Sequence, residues 1–132
     1  MPALVKSFSD QAGLKFEIFL ETRGGSNIDF HLENKLGVIG RRPWDKVVMH
    51  GYSTLNRLDP GNSDLLVETI KDMADFLRGL NTEVEIFLTS TWSRADLVYL
   101  PNKPWTDEPI EKMAMDVRKG YDAAAHLAKA FV

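Results

Sequence analysis

The 132-residue sequence contains no cysteine, which excludes disulfide scaffolds, thiolate metal sites and cysteine nucleophiles within it. It has no apolar run near the roughly 20 residues that a membrane span needs, and it does not open on a charged-then-apolar leader. Like charges do not cluster, and the formal net charge is −3, which argues against a nucleic-acid-binding face. We therefore expect a cytoplasmic protein, or one whose leader has been lost, with neither nucleic acid nor a membrane as partner.

The composition is that of a single globular domain spanning residues 1–132. Hydrophobic residues make up 44% of the sequence and charged residues 27%, which is typical of soluble globular proteins. A chain of this length can bury roughly two thirds of the surface that its unfolded form exposes. Neither an internal repeat nor a linker divides it.

Hydrophobic periodicity predicts helices and strands in alternation. The apolar run Val47-Val48-Met49 is followed at once by small and polar residues, which indicates a strand at about 45–50 that is buried on both faces. In the last helix, Gly120 costs about 1 kcal/mol relative to alanine. The predicted elements are a helix at 3–13, a strand at 14–22, a short helix at 27–36 capped by Ser26 or Asn27, a strand at 45–50, a helix at 63–80, a strand at 83–88, a long loop at 93–107, and a final helix capped by Thr106 with Pro109 in its first turn.

This order predicts right-handed crossovers and a parallel sheet covered by helices. In open α/β sheets, ligands bind at the carboxyl ends of the strands. Small and polar residues follow all three predicted strands, at 24–26, 50–53 and 90–94. We therefore expect these three segments to meet at one edge of the sheet and to form the rim of a pocket.

The glycine pair Gly24-Gly25 has two interpretations. Its amides precede a helix start, where N–H groups and the helix dipole favour an anion. A tight turn that needs positive φ explains the same pair more simply. Neither a Gly-x-Gly-x-x-Gly motif nor a Walker loop accompanies it, so a nucleotide site is not supported.

Four segments together resemble a known family. They are Gly-Gly-Ser-Asn-Ile-Asp-Phe-His-Leu-Glu at 24–33, Trp-Asp-Lys-Val-Val-Met at 44–49 followed by Ser53, Phe-Leu-Thr-Ser-Thr-Trp-Ser-Arg at 87–94, and Tyr-Asp-Ala-Ala-Ala at 121–125. They are similar to the middle portion of an SGNH/GDSL-type hydrolase, in a poorly characterised bacterial branch of that superfamily.

The resemblance implies a three-layer, flavodoxin-like parallel sheet with flanking helices. It also implies ester hydrolysis by acyl transfer to serine, with a small-molecule acyl or acetyl ester as substrate. Gly25, or less directly Gly24, corresponds to the glycine of the oxyanion hole. The loop 50–53 corresponds to the block that normally supplies an amide side chain, and His50 or Tyr52 stands in its place. The remaining residues implied for the substrate pocket are Ser26, Ser53, Trp92 and Arg94.

The sequence departs from the family at both ends. The first strand and its Gly-Asp/Asn-Ser nucleophile turn would precede Met1, and the Asp-x-x-His pair would follow Val132. The first strand lies in the middle of the family's sheet, so the chain is expected either to be an internal piece of a longer protein or a remodelled, non-catalytic derivative. On this view the isolated chain is inactive.

Two alternatives remain open. The chain could assemble its own site from Ser53 and His50 with Asp29 or His31, although two residues three positions apart on one loop hold a nucleophile and base poorly. It could instead be a non-enzymatic flavodoxin-like module that binds a small polar or anionic ligand or self-associates as a homodimer. Three scattered histidines make a weak metal site, so we expect neither a metal nor a cofactor.

Overall fold

The computed structural model describes residues 2–98, 101–102 and 104–132. Within this part of the chain, three helices precede the first strand, and helices and strands alternate as the periodicity predicts only from there to the second strand. The elements are α1 (Pro2–Gln11), α2 (Ile28–Asn34), α3 (Leu36–Ile39), β1 (Lys46–Met49), α4 (Asp64–Leu80), β2 (Glu85–Leu88), α5 (Ala95–Val98) and α6 (Ile110–Ala128).

The two strands form a parallel sheet, as predicted for 45–50 and 83–88. The prediction that the strand at 45–50 is buried on both faces is wrong: Lys46 and Val48 are exposed, and Val47 and Met49 are only half-buried. Val47 pairs with Ile86 and Val48 with Phe87. The C-terminus adds a short parallel bridge on the other side of β2, where the Phe131 N–H donates to the Ile86 carbonyl at 2.9 Å. β2 is therefore flanked on both sides, whereas no described residue pairs with the second edge of β1.

The two long helices α4 and α6 pack against each other and contribute most of the core. Their buried side chains recur every three or four residues, as expected for one apolar stripe on each helix. The sequence places further apolar residues at the same spacing, but Phe76 and Ile110 are half-buried, and Phe131 lies beyond α6 and is exposed. The buried members are Leu66, Ile70, Met73, Ala74 and Leu77 in α4, and Met113, Val117, Tyr121, Ala124, Ala125 and Ala128 in α6.

The strand predicted at 14–22 is wrong. This segment has no regular secondary structure, and the backbone of residues 15–22 makes no hydrogen bond with any described residue. Its side chains instead lie against the segment before β1: the Phe19 and Trp44 rings are 5.2 Å apart, and Arg42 pairs with Glu17 at 2.8 Å. An alternating pattern cannot make a strand where no neighbouring backbone completes the ladder.

Two predicted helix boundaries also require correction. The helix at 27–36 ends at Asn34, and a separate turn of helix follows as α3; Asn27 occupies the N-cap position, but its side chain makes no capping hydrogen bond. The last helix begins at Ile110, after Pro109 rather than after Thr106. The X-Pro step explains this start, because proline disfavours helical geometry in the residue before it.

Candidate active site cleft

The loop that follows β1 is fixed to the core by one buried hydrogen bond. The Gly51 N–H donates to the Tyr121 hydroxyl at 2.8 Å, across 70 residues of sequence. Tyr121 is completely buried, and burial raises the pKa of its phenol above the ordinary value, so the hydroxyl stays neutral. α6 therefore determines where the chain turns after the strand.

Glycine is required at position 51 because there is no room for a side chain, and not because of its backbone dihedral angles. A Cβ at this position would lie 2.5 Å from Leu66 Cδ1 and 2.7 Å from Asn27 Oδ1. The Asn27 side chain is buried there, and its amide makes no hydrogen bond with any described residue. The absence of a side chain at Gly51 thus lets the loop descend onto α4 and the start of α2.

A second anchor lies further along the same loop. Leu55 has a φ of +67°, which is unusual for a residue with a Cβ, and its side chain is 1% exposed. It packs over Gly120 of α6, where a Cβ would lie 2.9 Å from Leu55 Cδ2. The gap left by Gly120 therefore receives the leucine, and the segment between the two anchors, residues 52–54, is held at the surface.

The glycine turn at 24–25 meets this loop. Gly25 has a φ of +72°, in the left-handed region that favours glycine. The Tyr52 hydroxyl donates to the Gly25 carbonyl at 3.0 Å, and the Gly25 N–H donates to no described acceptor. The turn that precedes α2 and the turn that follows β1 are thereby tied together, although residues 14–22 do not form a strand.

These loops line a cleft of about 420 Å³ together with the segment that follows β2. Four of the residues singled out from the sequence line it: Gly25, Tyr52, Ser53 and Arg94. The other lining residues are Thr54, Arg57, Pro60, Leu97 and Pro104. An adjoining cleft of about 340 Å³ shares Tyr52 and Arg57 and is otherwise lined by Asp29, Asn56, Leu58 and Leu65.

Four other candidates are not among the described residues lining either cleft. Gly24 and Ser26 flank the cleft residue Gly25 but do not themselves line it. His50 is exposed, and its Nδ1 lies 3.2 Å from the Gly51 carbonyl oxygen. Trp92 is 78% exposed. Their proposed roles stay predictions from the sequence.

A serine-histidine-carboxylate triad is not assembled among the described residues. The Ser53 hydroxyl makes no hydrogen bond with any of them. His31 contacts the Asn27 carbonyl oxygen through Nδ1 at 2.9 Å, and its Nε2 is buried without a described partner. Asp29 accepts the Phe30 N–H at 2.7 Å. Serine activation requires a base at about 3 Å from the hydroxyl, and neither His31 nor His50 forms a hydrogen bond with Ser53.

The sequence interpretation missed Arg57. Trp105 follows the prolines of the long loop 93–107, where from the sequence it could line a pocket or pack in the core. Trp105 is 3% exposed and belongs to the core. Its Nε1–H donates to Asp116 at 3.1 Å, and Lys112 also donates to that carboxylate. Arg57 lies in a polar loop with no periodicity, so nothing in the local sequence distinguishes it from a solvated surface cation.

Among the described residues, no three or more histidine, aspartate and glutamate side chains cluster as a metal site would require. None of the helices in that part of the chain is long and apolar enough to cross a membrane. The polar side chains that line the larger cleft carry hydroxyl or guanidinium groups; they are Tyr52, Ser53, Thr54, Arg57 and Arg94.

No protein-family model matches the sequence, and no curated protein matches it significantly. A solved structure of a protein from Slackia heliotrinireducens, described as "a putative SGNH hydrolase", superposes on this chain with a TM-score of 0.72. The match covers 98% of this chain and 67% of that chain at 18% sequence identity. At this identity the likeness concerns the fold. The chain has the α/β fold of an SGNH hydrolase.

Proposed function

We propose that this chain is an SGNH-hydrolase-like domain whose cleft binds a small-molecule ester, and that the reaction served by this frame is ester hydrolysis by acyl transfer to serine. The observation that carries the proposal is the hydrogen bond from Tyr52 to the Gly25 carbonyl. This hydrogen bond joins two segments that line the same cleft. One carries Gly25, which corresponds to the oxyanion glycine, and the other is the loop 50–53, which corresponds to the third block of the family.

In this proposal Gly25 supplies the oxyanion donor. Its N–H has no described acceptor within the chain, and a free backbone N–H that points at a developing oxyanion is the kind of donor that stabilises acyl-transfer transition states. Tyr52 and Ser53 border the same cleft. The Ser53 hydroxyl can donate to an ester carbonyl, whereas the Tyr52 hydroxyl, whose proton goes to the Gly25 carbonyl, can accept from a hydroxyl of the substrate.

We also propose that the isolated chain does not hydrolyse esters through Ser53. The support is geometric, because neither His50 nor His31 forms a hydrogen bond with Ser53, and both imidazoles contact backbone carbonyl oxygens instead. Ser53 then contributes a hydroxyl to the cleft wall and not a nucleophile.

The finer architecture belongs to the same proposal. In the flavodoxin-like strand order 2-1-3-4-5, the first strand lies between the second and the third. Among the described residues, none pairs with one edge of β1, and the backbone of residues 15–22 forms no hydrogen bonds. Both features support a place for such a strand between these two segments. Apolar side chains exposed along residues 14–20 support a three-layer fold whose sheet would have one more strand at this place; they are Leu14, Phe16, Phe19 and Leu20.

The test is hydrolysis of p-nitrophenyl acetate by the purified chain, beside a Ser53→Ala variant. We expect that neither protein releases p-nitrophenol faster than uncatalysed hydrolysis in buffer alone. A robust rate in the natural sequence that disappears in the variant would show that the chain builds its own nucleophile site. Changes in the amide chemical shifts of Gly25 and Ser53 when a non-hydrolysed ester is added test independently whether the cleft binds an ester.

The same open edge supports a homodimer as partner. α1 presents Leu4, Val5 and Phe8 to solvent, each about half exposed or more, and Val48 of β1 is 67% exposed. Pairing of two β1 edges, together with burial of these side chains, would cover both features. Size-exclusion chromatography with light scattering should show a dimer whose dissociation is promoted by Val48→Lys, with Val38→Lys as a matched exposed control.

A further inference from the structure

The charge of the larger cleft is opposite to that of the protein. The chain carries a formal net charge of −3, yet the charged residues lining this cleft are two arginines, Arg57 and Arg94. Asp29 lines only the adjoining cleft. A concave surface lined by one sign of charge concentrates ligands of the opposite sign.

The two arginines differ in what they already bind. Arg94 donates to Asp96 through Nε at 3.0 Å and through a second nitrogen at 2.5 Å. This carboxylate raises the pKa of Arg94 and occupies the hydrogen-bonding fork of its guanidinium group. Arg57 is exposed and forms neither an ion pair nor a hydrogen bond with any described residue. Its fork is available to a ligand.

The position of Arg57 adds to this difference. It borders both clefts, as does Tyr52, so its guanidinium group reaches a ligand in either. The loop that carries Arg57 is held by the buried Leu55 and by the hydrogen bond from Gly61 N–H to the Thr54 carbonyl at 2.9 Å. A guanidinium group is a planar fork that matches a carboxylate or phosphate through two parallel hydrogen bonds.

We propose that the cleft takes an ester that also carries a compact oxyanion, a carboxylate or phosphate group, and that Arg57 is the residue that binds this charge. This inference rests on the proposed function, since it names the substrate class of the same cleft. The ester group would lie towards Gly25 and Ser53, and the anionic group would lie towards Arg57.

The experiment compares two probes of nearly the same shape. Monomethyl succinate carries one ester and one carboxylate, whereas dimethyl succinate carries two esters and no charge. Each is titrated into the ¹⁵N-labelled chain, and the amide shifts of Gly25, Tyr52, Ser53 and Thr54 report binding in the cleft. We expect monomethyl succinate to bind the natural sequence at least about tenfold more tightly, which is typical of a hydrogen bond to a charged group.

Three variants identify the residue. Arg57→Gln should abolish the preference for the charged probe, and Arg57→Lys should restore part of it, because the charge returns without the fork. Arg118→Gln is the matched control: Arg118 is an exposed arginine of α6 that pairs with Asp122 and lines neither cleft. This control should leave the preference unchanged. Far-UV circular dichroism checks that each variant is folded.

The outcomes separate the two proposals. Equal binding of both probes to the natural sequence would overturn the anionic substrate class and leave the ester-binding cleft in place. Loss of the preference in Arg94→Gln but not in Arg57→Gln would overturn the assignment to Arg57. If neither probe shifts the cleft amides, the proposed function and this inference both fail.

Discussion

Replacing Gly120 by alanine tests how the cleft loop is supported. In the middle of a helix this substitution normally stabilises the protein by about 1 kcal/mol, because alanine loses less backbone entropy. Here the new Cβ would lie 2.9 Å from Leu55 Cδ2 and 3.0 Å from Ser63 Cβ. Overpacking of this kind costs about 1–3 kcal/mol. We therefore expect Gly120→Ala to lower the free energy of unfolding by up to about 2 kcal/mol.

Leu55 has little freedom to make room for the new methyl group. Its side chain is almost completely buried, and its backbone already has a φ of +67°. A shift of the side chain would move the neighbouring residues of the cleft. Gly120→Ala should therefore also change the amide chemical shifts of Tyr52 and Ser53, which a substitution elsewhere in a helix should not do.

Gly79 provides the matched control. It lies in the last turns of α4, and a Cβ there would meet no atom within 4 Å. We expect Gly79→Ala to raise the free energy of unfolding by up to about 1 kcal/mol. Urea denaturation followed by far-UV circular dichroism measures both variants against the natural sequence. If the two substitutions stabilise the protein equally, the packing of Leu55 over Gly120 does not support the loop as described.

Three further substitutions test the hydrogen bonds around the site and the core. Tyr121→Phe leaves the buried Gly51 N–H without its acceptor and should cost about 1–3 kcal/mol of unfolding free energy, whereas Tyr52→Phe removes a more exposed bond and should cost less in the same urea titration. The Lys112 ammonium group, and secondarily the Trp105 N–H, hold the pKa of Asp116 below its ordinary value of 3.8. Because the folded pKa is the lower one, this stabilisation is present above about pH 4 and is lost as the pH falls through the folded value. The stability gap between the natural sequence and Asp116→Asn, measured by urea titration, should therefore narrow below pH 4; a gap that is unchanged at pH 2.5 would contradict the assignment.

The long helices and the positions of the two strands could be predicted because their signals are local, whereas the burial of β1 on both faces was predicted wrongly. The apolar stripe of α4 and the apolar run of β2 require only that one face meets a core, whichever partner supplies it. The SGNH-like fold could likewise be expected from short segments, and the superposition with a TM-score of 0.72 agrees with it.

The strand at 14–22 could not be decided in this way. Its alternation of apolar and polar residues is a genuine strand pattern, but a strand exists only when a neighbouring backbone accepts its hydrogen bonds. The sign of the Gly120 effect was equally inaccessible, since helix propensity says nothing about Leu55 reaching it from 65 positions away in the sequence.

The sequence by itself determined which residues have groups that can bind a substrate: the glycine pair, the hydroxyl-bearing residues that follow β1 and the arginine that follows β2. Only the tertiary structure decided which of them share a cleft. Gly25, Tyr52, Ser53 and Arg94 line one cleft, in which Tyr121 and Gly120 on a distant helix fix the loop after β1. His50 and Trp92 are exposed and do not line it. Composition and spacing specify local conformation, whereas proximity between distant segments depends on how the core packs.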